Sequence, residues 1–173
     1  SFYPGDRARL RALVEELLRE AAPERVPSSV GLIVPHAGYA YSGRVAGAGL
    51  RAAAAFGRPE AVLILGASHS GAGAPLVVPA DVAWGTPLGD VPLDVDAIER
   101  LAAAGIPRDA NAFRREHSME VVLPFLQVLF ADPVPVIPVC VQLAPLASLA
   151  SGARILGEVL RARRLWVVAS SDF

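Results

Sequence analysis

Three stretches of this sequence end an apolar run with a side chain able to hold a metal ion or move a proton. Val30–Val34 leads into Pro35-His36-Ala37-Gly38-Tyr39, Ala61–Leu65 into Gly66-Ala67-Ser68-His69-Ser70, and Leu165–Ala169 into Ser170-Ser171-Asp172. In an open α/β sheet, ligands bind in the crevice outside the carboxyl ends of the strands. If these runs are neighbouring strands, His36, His69 and Asp172 converge on one pocket. Two imidazoles and one carboxylate are the donor set of a facial iron site with open positions for substrate or oxygen, and the set also suits zinc or copper. Taken singly, a histidine is more often a hydrogen-bonded structural residue. The argument for a ligand role is that two of only three histidines stand at equivalent strand ends. The third, His117, lies in Arg114-Arg115-Glu116-His117-Ser118-Met119-Glu120, just before a helical pattern. It reads as a general acid/base or an orienter of another ligand, or else as a loop histidine bonded to backbone.

The elements that must position these residues follow from hydrophobic periodicity. Leu10, Leu13, Val14, Leu17, Leu18 and Ala21 recur at helical spacing between Asp6 and Ala22, with Asp6 as N-cap and Pro23 as the stop. Ser29–Pro35 predicts a short buried strand, and the Gly- and Ala-rich Ser42–Ala55 a helix capped by Ser42 and packed closely on the sheet. Ala61–Leu65 predicts a second buried strand, and Leu76–Thr86 a hairpin or pair of edge strands in which prolines limit pairing. Further helices are expected over Asp94–Ala104 (capped by Asp94, ended by Gly105), Ser118–Phe130 (kinked or broken near Pro124) and Ser148–Arg163. Val134–Val141 and Leu165–Ala169 complete the strands. Continuous apolar strands alternating with helices mean an α/β fold, a mostly parallel central sheet flanked by helices.

Composition narrows the function classes. With 173 residues the prior is one domain, and a hydrophobic share of 53% with a net charge of -1 argues against disorder. The same balance excludes the positive field of a nucleic-acid binder. A single Cys excludes an intramolecular disulfide and any multi-cysteine metal site. The sequence has no Lys, which removes Schiff-base and phosphate-loop lysines together. No charge-free apolar run approaches the ~18 residues of a membrane span. The N-terminus is an amphipathic charged segment rather than a signal peptide, so a cytoplasmic protein is expected.

Several apparent motifs have simpler explanations. Gly47-Ala48-Gly49-Leu50-Arg51-Ala52 matches a dinucleotide fingerprint but falls inside a predicted helix, where small residues serve close packing. Ser68-His69-Ser70 lacks the nucleophile elbow of a hydrolase. Cys140 reads as a buried strand cysteine, and Arg161, Arg163 and Arg164 as a solvated cluster at a helix end.

Taken in order, Ser1-Phe2-Tyr3-Pro4, Pro35-His36-Ala37-Gly38-Tyr39-Ala40-Tyr41-Ser42-Gly43, Gly66-Ala67-Ser68-His69, Glu116-His117-Ser118-Met119-Glu120 with Leu123-Pro124-Phe125-Leu126-Gln127, and Ser170-Ser171-Asp172-Phe173 resemble the Memo family, whose bacterial and archaeal members are called AmmeMemoRadiSam system protein B. The resemblance spans essentially the whole chain. It implies a fold similar to class III extradiol dioxygenases, with His36 and His69 as metal-binding histidines, Asp172 as the pocket aspartate, and His117 and Tyr41 lining the pocket. It also implies iron or copper, a redox-linked role, and companions of the AMMECR1 type and the radical SAM type. The family pattern continues past Ser-Ser-Asp-Phe to a further histidine and a cysteine that serves as third ligand. The expectation here is therefore a single domain over 1–173 lacking that C-terminal part, with either Asp172 standing in as third donor or a weak or empty site. Ending directly after an apolar run also predicts a truncated form or a partner over that edge. Alternatives are a non-haem Fe(II) dioxygenase-type enzyme, or a non-enzymatic phosphopeptide- or protein-binding module with Arg44 and Arg114 as anion contacts.

Overall fold

The computed structural model describes residues 2–19, 31–71 and 73–172. Its centre is a five-stranded sheet in the order β1 (Gly31–Val34), β7 (Leu165–Ser170), β2 (Ala61–Ala67), β6 (Val136–Val141), β3 (Leu76–Val77). The first four are mutually parallel, and β3 joins β6 antiparallel. The parallel strands are the apolar runs that contain no charge, as strands covered by crossover helices require. Their register levels the carboxyl ends, because Ser170 of β7 stands opposite Val34 on one side and Gly66 on the other.

Helices α1 (Arg7–Arg19), α2 (Tyr39–Ala54) and α4 (Leu123–Leu129) pack together on one face. Asp6 caps α1 by accepting the Arg9 N–H at 2.9 Å. Gly47 lets α2 approach α1 so closely that a Cβ there would lie 2.9 Å from the Leu17 carbonyl oxygen, and one on Gly49 would touch Val34 and Leu32 at 3.5 and 3.6 Å. The glycine pattern is thus a packing stripe. On the other face, α5 (Leu146–Leu160) lies against Leu76 through Gly152 and shares a groove with Leu63, Leu65 and Leu165. Helix α3 (Val95–Ala103) packs on α5. Asp94 caps α3 through the Ala97 N–H at 3.1 Å, and Gly105 beyond it takes a left-handed φ of 108°.

Several expectations are corrected. Of the two readings offered for Leu76–Thr86, the pair of edge strands holds and the hairpin does not: β3 is the edge of the main sheet, and β4 (Ala83–Thr86) pairs with β5 (Gly89–Pro92) rather than with β3. Helix α2 begins at Tyr39, with Gly38 rather than Ser42 at its N-cap; the Ser42 hydroxyl donates instead to the Ala37 carbonyl at 3.0 Å. The helix expected over 118–130 starts as a 3-10 turn, Glu120–Val122, and becomes α4 at Leu123, with Pro124 in the first turn where no N–H is missed. The first strand is not buried on both faces: Ile33 is 61% exposed because α5 lies toward β2 rather than β1. Arg163 is not merely solvated, since its guanidinium meets the Asp94 carboxylate at 2.5 Å and joins α5 to the α3 cap. The Pro23 stop, Ser29 and Val30 of the first strand, Ser1 and Phe173 lie outside the described residues. Among the described residues, no helix is long and apolar enough to cross a membrane.

Candidate metal centre

Because β1, β7 and β2 are consecutive in the sheet, their carboxyl ends form one rim. His36 stands two residues beyond β1, His69 two beyond β2, and Asp172 two beyond β7. The His36 and His69 rings meet edge to face, with centroids 5.2 Å apart at 88°. His117 closes the third side, 4.6 Å from the His69 ring and 5.6 Å from that of His36. One ring nitrogen from each of the three lies within 4.8 Å of the others. A tetrahedral ion with bonds of about 2.0–2.1 Å would draw them to roughly 3.3 Å of one another. His36 is buried at the floor, whereas the side chains of His69 and His117 are 46% and 23% exposed, so the cluster opens outward.

His117 reaches this position because its loop presses on β2. A Cβ on Gly66 would fall against Met119 Cγ and 2.5 Å from Ser118 Oγ. The bare glycine makes room for both, and the Ser118 hydroxyl donates to the Ala67 carbonyl at 3.0 Å. Phe2 stacks on the outer side of His117 at 4.0 Å and 15°. Its carbonyl accepts the Tyr39 N–H at 2.8 Å, and the neighbouring Tyr3 phenol donates to Glu120. Burial, reinforced by His69, holds His117 below the usual imidazole value, which favours the neutral form a metal requires.

Glu116 lies beneath His69 with its side chain only 2% exposed. Its carboxylate accepts the His69 backbone N–H at 2.8 Å and the Ser118 N–H at 2.8 Å, and His69 Nδ1 lies 3.0 and 3.1 Å from its two oxygens. Burial alone would raise this carboxyl's pKa, yet the hydrogen bonds from His69 and Ser118 outweigh it and hold it at about 2. On the other side, His36 Nδ1 lies 3.0 Å from Ser170 Oγ, whose proton goes to the Ser118 carbonyl at 2.5 Å.

Asp172 sits at the mouth. Its Oδ1 accepts the backbone N–H groups of His36 and Ala37 at 2.7 and 3.1 Å, and its Oδ2 stands 3.7 Å from His36 Nε2. The aspartate therefore clamps the loop that carries His36, while the group of nitrogens around His36 and His69 is completed by His117. Tyr41, on the first turn of α2, is 89% exposed and makes no ring contact with the three imidazoles among the described residues. Glu116, Ser170 and Phe2 were not singled out by sequence reasoning. All three do stand in the phrases that carry the family resemblance, and Glu116 directly precedes His117. Beside the cluster, Trp84, Phe113, Arg114, Glu116 and Glu120 border a cavity of about 370 Å³.

A model of the family described as Memo-like protein matches residues 1–173. A MEMO1 family protein of Pyrobaculum arsenaticum is 36% identical over 183 residues, covering 99% of this chain and 65% of the relative. One from Ignicoccus hospitalis is 37% identical over 189 residues, with the same 99% and 65% coverage. One from Thermotoga neapolitana is 35% identical over 187 residues, covering 99% and 66%. The chain spans about two thirds of the length of these curated relatives.

Proposed function

The chain belongs to the Memo-like protein family, and from that footing we propose that it is a metal-binding protein whose ion sits among His36, His69 and His117. One observation carries the reading: three imidazole nitrogens from three separate parts of the chain lie within 4.8 Å of one another at the rim of the sheet. Imidazole donors suit iron, copper and zinc alike. We assign iron or copper with a redox-linked role, in keeping with the resemblance carried by the sequence phrases. Such an ion would supply Lewis acidity or one-electron chemistry at a position open to solvent.

The protein's own residues divide the remaining work. His36, held from behind by Ser170 and through its backbone by Asp172, is the fixed floor of the site. His69, half-exposed and held from beneath by Glu116, provides the outward-facing donor. His117, stacked between Phe2 and His69, limits access from one flank. Replacing both His36 and His69 by Ala tests the reading by elemental analysis after anaerobic loading with Fe(II) or with copper. The wild type is expected to retain roughly one equivalent and the double variant almost none. Equal metal content in the two proteins would overturn the proposal.

A further inference from the structure

We infer that a buried hydrogen-bond frame of Glu116, Ser118 and Ser170 presets the tautomers of both strand-end histidines, so that His36 and His69 each present an unprotonated Nε2 for coordination. The purpose of the frame rests on the metal reading above, but its existence rests on geometry alone.

The His36 arm is decided by where one proton must go. The Ser118 carbonyl has no proton to give, so in the 2.5 Å contact with Ser170 Oγ the hydroxyl donates. Ser170 Oγ then has only lone pairs left for His36 Nδ1, which lies 3.0 Å away. Nδ1 must therefore carry the hydrogen. His36, Ser118 and Ser170 are 3%, 0% and 3% exposed, which leaves little room for water to offer His36 Nδ1 another partner. On the His69 arm, an ionised carboxylate accepts and cannot donate. Glu116 already receives backbone N–H groups from His69 and Ser118, and its two oxygens lie 3.0 and 3.1 Å from His69 Nδ1. That nitrogen is again the donor. In a neutral imidazole the other nitrogen then holds the lone pair, so both rings expose Nε2 as acceptor.

The two arms join at a single residue. The Ser118 N–H donates to Glu116 Oε1 at 2.8 Å, its carbonyl accepts from Ser170, and its own hydroxyl donates to Ala67 at 3.0 Å, anchoring the frame to β2. Outer partners of this kind set ligand orientation, and their loss typically weakens metal binding by about 10- to 100-fold. Glu116 and Ser170 are positioning residues in this scheme, acting through the histidines they hold.

The test reads tautomers directly in the metal-free full chain, by long-range proton–nitrogen NMR correlations of the imidazole rings. Free histidine in water favours hydrogen on Nε2, so hydrogen on Nδ1 in both His36 and His69 supports the frame, and hydrogen on Nε2 in either overturns it. Glu116→Gln is expected to release the His69 tautomer and Ser170→Ala that of His36, with Ser170→Thr, which keeps the hydroxyl, restoring it. Iron or copper dissociation constants should rise by about 10- to 100-fold in Glu116→Gln and Ser170→Ala. Unchanged tautomers in both variants would sink the inference even if the wild type binds metal. Preset tautomers in a wild type that binds no ion would uphold the frame and defeat the metal reading instead. Should Ser170→Ala fail to fold, the wild-type spectrum and Glu116→Gln still decide the matter.

Discussion

Cys140 lies across from Gly66 in the β6–β2 pairing, close behind the rim that carries His69. It is fully buried, and burial pushes its thiol up to about 11. At pH 8 a pKa near 11 leaves about one thiol in a thousand ionised, and the thiolate is the reactive form. A thiol-specific reagent at pH 8 is therefore expected to leave the native protein unmodified over the time in which it titrates one thiol per chain in denaturant. Rapid native modification would show that this strand opens. Since the folded state favours the neutral thiol, this residue's contribution to stability is complete below the ordinary thiol value near 9 and fades as pH rises toward 11. The buried character of Cys140 was legible from its apolar neighbours, and so was the placement of His36 and His69 just beyond the ends of neighbouring strands. Glu116 and Ser170 were not. An acidic residue beside Arg114 and Arg115 reads as solvated, and only the fold shows that its carboxylate turns inward to the backbone N–H groups of His69 and Ser118 and to His69 Nδ1. For Asp172 the fold adds a task that its residue type does not announce: Oδ1 accepts from the His36 and Ala37 backbone, while Oδ2 stands 3.7 Å from His36 Nε2.

Element boundaries depend on close approaches that composition announces without locating. Gly66, next to last in β2, reads locally as a simple turn signal, yet it is the gap through which Ser118 and Met119 reach the sheet. Gly66→Ala is expected to destabilise the protein by about 1–3 kcal/mol as an overpacked site does. At about 2–4 °C per kcal/mol for a chain of this size, the melting temperature should fall by roughly 2–12 °C. An unchanged melting temperature would mean that the Ser118–Met119 segment moves aside at little cost. The helix stripe offers an internal contrast. Gly47→Ala places a Cβ 2.9 Å from a backbone oxygen of α1, while at Gly49 the new contacts are ordinary at 3.5 and 3.6 Å. The first substitution should lower stability and the second leave it unchanged or slightly raised by helix propensity. The helix assignment of that stripe came from its Gly and Ala content. The start of α2 at Tyr39 was missed because Ser42 looked like the better cap, although the chain uses its hydroxyl inside the first turn. Leu76–Val77 and Ala83–Thr86 are both short apolar segments between prolines, which leaves a hairpin and a pair of edge strands equally open. Nothing local reveals that one pairs with β6 and the other with β5.

At the scale of the whole chain, the donors of the proposed site come from the end of β1, the end of β2 and the loop before α4, which meet only when the sheet is assembled in register. An unfolded chain cannot bring them together, so an ion that binds there binds the native state alone and must stabilise it by mass action. At free metal one hundredfold above the dissociation constant, that stabilisation is about 2.7 kcal/mol. For a chain of this length it corresponds to a rise in melting temperature of roughly 5–11 °C. Iron or copper loading should produce such a shift, a chelator should reverse it, and the His36→Ala/His69→Ala protein should show none of it. The exposed strip at Ile33 and Val167 adds a condition, because self-association would make the melting temperature depend on concentration, so all melts belong at one protein concentration. A shift of the same size in the double variant would place the stabilising ion elsewhere on the molecule. An absent shift in the wild type would mean that the three imidazoles, though adjacent, do not hold an ion tightly enough to matter to the fold.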